Sequence, residues 1–310
     1  MKHTFFIFLF FTSSIAVSFT QTKTAEKKYI MPYGSNLKFM NPMPPYVRDV
    51  TETTVIDSGT IRVLYALNAT DLRKIETYDD LQRLEISPKN SKYYSFFVFR
   101  VDSTASFRAK ERKIKMPYDP SMGDVIMMVI DGKFQGWSEY LFSEYFKDFS
   151  TNELTEYARM PLGLVKSNSQ YTEPIPVQNW ILGDDTLTVA GYVCQKAICK
   201  FRGREYTAWF TTDIPISNGP WKFGGLPGLI LKAYDKDRLY TFECVGIENH
   251  KEKYPITKLK TFQLYDKMDR MKVWKLKKSI QENHYRLVGL SPKDGKPFPK
   301  LYPYNPLELE

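Results

Sequence analysis

At 310 residues, with 43% hydrophobic and 15% aromatic content, the chain can bury a sizeable core as one large domain or two small ones, which excludes a disordered or low-complexity protein. Its formal charge of +9 would suit an anionic partner, but the Lys and Arg are scattered rather than gathered into a patch. Tyr and Phe, at 21 each, tilt the composition toward β-structure.

Residues 1–20 have the form of a signal peptide: Lys2 and His3, then an apolar run from Phe5 to Val17 that is short for a membrane span. Cleavage is expected before Phe19 or before Gln21, and no Cys nearby suggests a lipid anchor. The expectation is an exported protein, periplasmic or associated with the outer membrane, whose residues 21–310 form a single domain. Nucleic acid is set aside as a partner for that reason. Pro-rich arms at 21–46 and 290–310 read as extended. Strands are expected at Gly59–Asn68, Leu81–Ile86 and Tyr93–Val101, the last apolar on both faces and so central or covered. Residues 102–123 read as polar, ending in a loop with Pro117, Pro120 and Gly123. Asp131-Gly132 marks a hairpin, Ser138–Phe149 is either helix or strand, and 150–176 is connection with some strand.

From 188 to 201 the residues favour a strand. Arg202-Gly203-Arg204 turns the chain, and Tyr206–Thr212 returns with Tyr206, Ala208 and Phe210 on one face. A loop dense in Gly and Pro follows, in which Leu226-Pro227-Gly228-Leu229 fits a type II turn. Strands at 229–234 and 239–247 complete this region. Tyr265–His284 is the one convincing helix, with Met268, Met271, Trp274 (or Val273) and Ile280 able to share a stripe and basic residues elsewhere. It reads either as docked on a sheet or as a peripheral membrane contact.

The residues Gly225-Leu226-Pro227-Gly228-Leu229-Ile230, with Gly191-Tyr192, Phe201-Arg202-Gly203-Arg204 and Ala208-Trp209-Phe210-Thr211 upstream and Tyr304–Leu309 downstream, resemble the GLPGLI family of Bacteroidetes envelope proteins. That resemblance implies no particular activity.

Chemistry is sparse in the sequence. The three histidines leave only His250 and His284 beyond the leading segment, both in settings that read as exposed, and no nucleophile, zinc or redox motif is present. Among carboxylates, Asp184-Asp185 reads as a turn and Asp213 as the better single candidate for a hydrolase. No metal site or cofactor is expected. The loop is read chiefly as a packed plug, with Trp209, Trp221, Phe223, Leu226, Arg202 and Arg204 as candidate ligand-binding residues. Cys194 and Cys199 stand about 17 Å apart if extended, too far to bridge, which leaves a bond between Cys244 and one of the other two, with Cys194 and Cys244 the pair put forward. The expected fold is mainly β: a large curved antiparallel sheet or open barrel with one C-terminal helix packed across it. The expected role is non-enzymatic binding of an apolar small molecule or an envelope protein. A structural or assembly partner of an outer-membrane complex, and a carboxylate-based hydrolase, are the alternatives.

Overall fold

The computed structural model describes residues 46–113, 137–161, 163–289 and 306–310, and the backbone of two short strand pairs, Ile30–Met31 with Ser35–Asn36 and Val129–Ile130 with Lys133–Phe134. The expected signal segment, most of both Pro-rich arms and the Asp131-Gly132 turn itself lie outside the described residues.

Twelve strands build one sheet. In chain order they are β1 (Thr53–Leu67), β2 (Asp80–Ile86), β3 (Asn90–Ser95), β4 (Ser143–Asp148), β5 (Glu153–Ala158), β6 (Ser169–Pro174), β7 (Ile181–Val189), β8 (Tyr192–Phe201), β9 (Arg204–Thr211), β10 (Leu229–Asp235), β11 (Thr241–Leu259) and β12 (Asp266–Lys267). Their order across the sheet is β7-β8-β9-β10-β11-β1-β2-β3-β4-β5-β6-β12. Two meanders, β1–β6 and β7–β11, are therefore spliced where the 19-residue β11 lies antiparallel along the 15-residue β1. Every pairing is antiparallel except the short one between β6 and β12. The sheet stays open, with β7 at one end and β12 at the other, yet it coils so far that Arg202, in the β8–β9 turn, reaches Glu173 on β6 at 2.6 Å.

The inward face follows the period of two. Val63, Tyr65 and Leu67 of β1 are buried, as are Tyr206, Ala208 and Phe210 of β9. Tyrosines dominate: Tyr65, Tyr93 and Tyr145 form a chain of rings with centroids 6.3 and 6.4 Å apart. The loop 213–228 folds back into this concave side, where Trp221, Phe223 and Leu226 are almost wholly buried. Phe223 alone touches Phe201, Tyr206, Trp221 and Phe242, so its truncation to Ala should cost about 3–5 kcal/mol. The plug reading of this loop holds, but its turn differs from the one expected. Gly225, not Gly228, has positive φ (79°). Gly228 is needed for another reason: a Cβ there would stand 2.0 Å from the Thr211 carbonyl oxygen.

Local chemistry overturns several expected elements. Strand β3 ends at Ser95, whose hydroxyl accepts from Val98 N at 3.1 Å and starts helix α1 (Phe96–Glu111), so the strand expected to Val101 is not formed, and the loop expected around Pro117–Gly123 lies outside the described residues. Ser138–Phe149 is both things at once: a helical turn, α2 (Glu139–Phe142), followed by β4. Residues 188–201 are interrupted by a turn at Ala190-Gly191, both with positive φ. Asp184-Asp185 is not a turn but part of edge strand β7, at a register shift between Leu182 and Thr186. The expected C-terminal helix is α3 (Arg270–Leu287), capped by Asp269, which accepts from Lys272 N at 2.8 Å. It buries Val273, Lys277, Ile280, Gln281 and His284 and leaves Met271 exposed. Its apolar stripe thus packs on the protein, and His284 is buried rather than exposed.

A buried ion network at the seam of the sheet

Where the coiled sheet brings its two ends together, charged side chains from seven places meet. Strand β5 supplies Glu156, on the same face as the buried Leu154 and Ala158, and β6 supplies Tyr171 and Glu173. Helix α2 supplies Glu139, the inserted loop Lys222, the β8–β9 turn Arg202, and α3 Arg270 and Lys277. The segment 306–310 lies across them and adds Glu308. Four carboxylates thus face four cations.

Lys222 is the hub. Its ammonium pairs with Glu308, lies 3.4 Å from Glu173 and 4.0 Å from Glu156, and donates to Tyr171 Oη at 2.5 Å. Lys277 pairs with Glu156 and lies 3.5 Å from Glu139. Glu156 also accepts from Ser143 Oγ and Tyr171 Oη, each at 2.7 Å. Arg270 donates to Glu308 at 2.8 Å. Burial by itself would raise the Glu156 carboxyl, but Lys277 and Lys222 outweigh it and hold the group at about 2. Glu308 is lowered for the same reason, burial being overcome by Lys222. Lys277 is raised: burial opposes its charge, and Glu156 and Glu139 win. Tyr145 and Tyr171 are pushed well up, first by burial and then by Glu156.

The segment 306–310 is held through its backbone as well. Arg204 donates to the Pro306 carbonyl at 2.7 and 3.1 Å, Tyr206 Oη to the Leu307 carbonyl at 2.9 Å, and Trp274 Nε1 to the Glu308 carbonyl at 3.0 Å. Leu307 N donates to Glu139 at 2.6 Å, and Leu309 N to the Arg202 carbonyl at 2.9 Å. The void left between these groups is about 20 Å³, the room of a single water. A general acid needs a proton to give near neutral pH, and Glu156 holds none there. The arrangement is chemically a lock: it satisfies buried charge and leaves no room for a substrate.

Of the residues singled out in the sequence, Arg202, Arg204 and Trp221 converge on this seam. Phe223 and Leu226 lie in the core, and Trp209 lies on β9 beneath Lys196, whose ammonium is 6.0 Å from its ring. Asp213 is exposed in the turn after β9, and His250 is half-buried beside Glu248, 3.1 Å away. Cys194, Cys199 and Cys244 are all buried free thiols, so the candidate Cys194–Cys244 disulfide is not formed. Burial pushes them up to about 11, 12 and 12 respectively, which keeps them protonated and inert. The sequence reading missed Glu156, Glu173, Lys222, Lys277 and Glu308. Two carried a signal: Glu156 alternates with apolar residues at inward positions, and Lys277 falls on the stripe of Val273 and Ile280. Among the described residues no cluster of His, Cys, Asp and Glu could hold a metal ion.

Residues 201–232, from the β8–β9 turn through Lys222 into β10, match the model of a family described as "Protein of unknown function (Porph_ging)". No curated protein matches the chain. Two crystal forms of PNGF-II are similar in structure, with TM-scores of 0.41 and 0.40 and 13% identity. The similarity covers 70% and 71% of this chain but only 32% and 33% of that one, so the chain spans about a third of its neighbour's length.

Proposed function

We propose that this chain is an exported, non-enzymatic binding protein of the bacterial envelope that takes a protein partner along the free edge of β7. The observation that carries the reading is that edge. Strand β7 is paired on one side only among the described residues, and Val177, Ile181, Leu182, Leu187 and Val193 around it are exposed, Ile181 at 74%. A free edge offers unpaired backbone groups to an added strand, and exposed aliphatic side chains beside it supply the apolar area that such pairing buries. The interior points the same way. Aromatic rings fill the concave face that an apolar small molecule would need. The family match at 201–232 includes the residues Gly225–Ile230, which supports membership of the GLPGLI family and, with the apolar run near residue 1, an envelope location.

The test is site-specific photocrosslinking in the source cell, with the probe at Ile181 and, as a control, at exposed Asp237 in the β10–β11 turn. One discrete adduct from position 181, absent from position 237 and lost in a Leu182→Lys/Leu187→Lys chain, is expected. Adducts equal at the two positions, or unchanged by the two lysines, would sink the assignment.

A further inference from the structure

A second charged site lies away from the seam, and its charges do not balance. The segment 46–50 is strapped to α1: Arg48 N donates to Asp102 at 3.1 Å and Val50 N to Ser106 Oγ at 3.1 Å. This places the Arg48 guanidinium over the sheet, paired with Glu144 on β4 and 3.6 Å from Asp102. Lys92 on β3 lies 3.2 Å from the same Glu144, and Arg159 lies 2.8 Å from the same Asp102. Three cations, Lys92 and Arg159 buried and Arg48 partly so, therefore share two buried carboxylates, an excess of one positive charge. The leading electrostatic influences on Arg48, Glu144 and Asp102 are one another, Lys92, Arg159 and the Tyr265 hydroxyl, with no third carboxylate among them. Hydrogen bonding at the cluster is incomplete on both sides: Arg48 Nε and Arg159 Nη2 are buried without an acceptor, and Glu144 Oε2 is buried without a well-aligned donor although Lys92 lies 3.2 Å away. Uncompensated buried charge costs several kcal/mol, so a structure that keeps it has a reason to.

Above this floor opens a cleft of about 290 Å³, bounded by α1, the strap and the far end of β11. Arg48, Lys92, Lys110 and Glu144 line it, together with the hydroxyl-bearing residues Ser103, Thr53 and Thr257. Phe107 stands at the rim, 61% exposed on α1, an aromatic ring held in water beside the opening. We infer that this cleft binds a small monoanion with a hydroxylated body, of the class of carboxylated monosaccharides. The carboxylate supplies the missing negative charge at the floor. The wall hydroxyls match those of the sugar, and the Phe107 ring offers a face to its C–H groups. The volume is at the small end of ligand sites, which fits one sugar ring and not an oligosaccharide.

The full chain is titrated calorimetrically at low ionic strength with glucuronate, glucose and inorganic phosphate. Saturable binding of glucuronate is expected, at least tenfold tighter than glucose or phosphate. Lys92→Met, which brings the floor to two cations and two carboxylates, should fold and lose at least tenfold in glucuronate affinity. Phe107→Ala, at an exposed position that leaves the core untouched, should weaken glucuronate several-fold without changing the melting temperature of the free protein. Glucose bound as tightly as glucuronate, or glucuronate binding unchanged in both variants, overturns the inference. Phosphate bound as tightly as glucuronate overturns the sugar assignment.

Discussion

Lys147 on β4 is a buried cation with no carboxylate within ion-pair distance among the described residues. Its ammonium donates to Asn218 Oδ1 at 2.9 Å and to the Phe223 carbonyl at 2.5 Å, which anchors the inserted loop to the sheet. Two neutral acceptors do not repay the loss of water, and burial pushes the group down to about 7. The unfolded chain, with the ordinary lysine value of 10.5, keeps its proton to much higher pH. Below pH 7 both states bind the proton, and stability carries the full burial penalty. Between 7 and 10.5 only the unfolded state binds it, so stability rises with pH. Lys258 is lowered by burial and acts in the same sense, whereas the raised thiols act oppositely above pH 9. The contribution of Lys147 is therefore read between pH 7 and 9, as the difference from Lys147→Met. Urea unfolding of the wild type should gain about 1–3 kcal/mol over that interval relative to the variant, one pKa unit being worth about 1.4 kcal/mol. Parallel curves would show that Lys147 stays charged in the fold.

At the scale of elements, the boundary between β3 and α1 turns on one hydroxyl. Ser95 Oγ accepts from Val98 N and donates to Asp80 Oδ1 at 2.9 Å, so it caps the helix and satisfies part of a carboxyl that burial raises well above its usual value. Ser95→Ala removes both bonds at once and should cost about 1–3 kcal/mol, more than an exposed cap; chemical denaturation measures it, and Ser95→Thr should recover most of the loss. This junction also shows what the sequence leaves unstated. Tyr93–Phe99 is apolar on both faces, with Ser95 its one polar member, and neither a period of two nor one of 3.6 emerges from it. The cap decides, and it depends on Asp80, a residue fifteen positions away. Strands β1, β2, β9 and β10 were legible because their alternation and flanking turns are local. The seam was not, because Lys222, Glu156 and Glu308 become neighbours only when the sheet coils. Arg202 and Arg204 were noticed as turn-flanking residues, and their partners come from β6, from Asp235 at the end of β10 and from the segment 306–310.

For the whole molecule, the open sheet poses a problem that the seam answers. A twelve-strand sheet that coils without closing has no hydrogen bonds from one end to the other, so its curvature must be fixed by side chains. Lys222 and Arg202 on the β8–β10 side, and Glu156 and Glu173 on the β5–β6 side, supply that link, with Glu308 between them. Ion pairs of this kind contribute little net stability against an apolar equivalent, but breaking one leaves its partners buried and uncompensated. Lys222→Met should thus cost about 3–5 kcal/mol in urea unfolding. Glu308→Leu alone should also destabilise, since it takes from Lys222 and Arg270 their nearest carboxylate, while the double variant should recover about 1–3 kcal/mol of the summed loss, the coupling expected of groups in one network. Hydrogen exchange separates a seam from an ordinary core pair. In Lys222→Met the amides of β6 and of the β8–β9 turn should lose protection ahead of β1 and β2, because the sheet uncoils at its ends while the β11–β1 splice holds. Uniform loss across all twelve strands would mean that Lys222 supports the core and not the closure. Acid should reach the same place. Glu156, at about 2, and the lowered Glu308 lend stability that is complete above the ordinary carboxylate value of 4.5 and is withdrawn as pH falls from there toward 2. Below pH 4 the seam amides should therefore exchange first in the wild type, reproducing at low pH the pattern that Lys222→Met shows at neutrality.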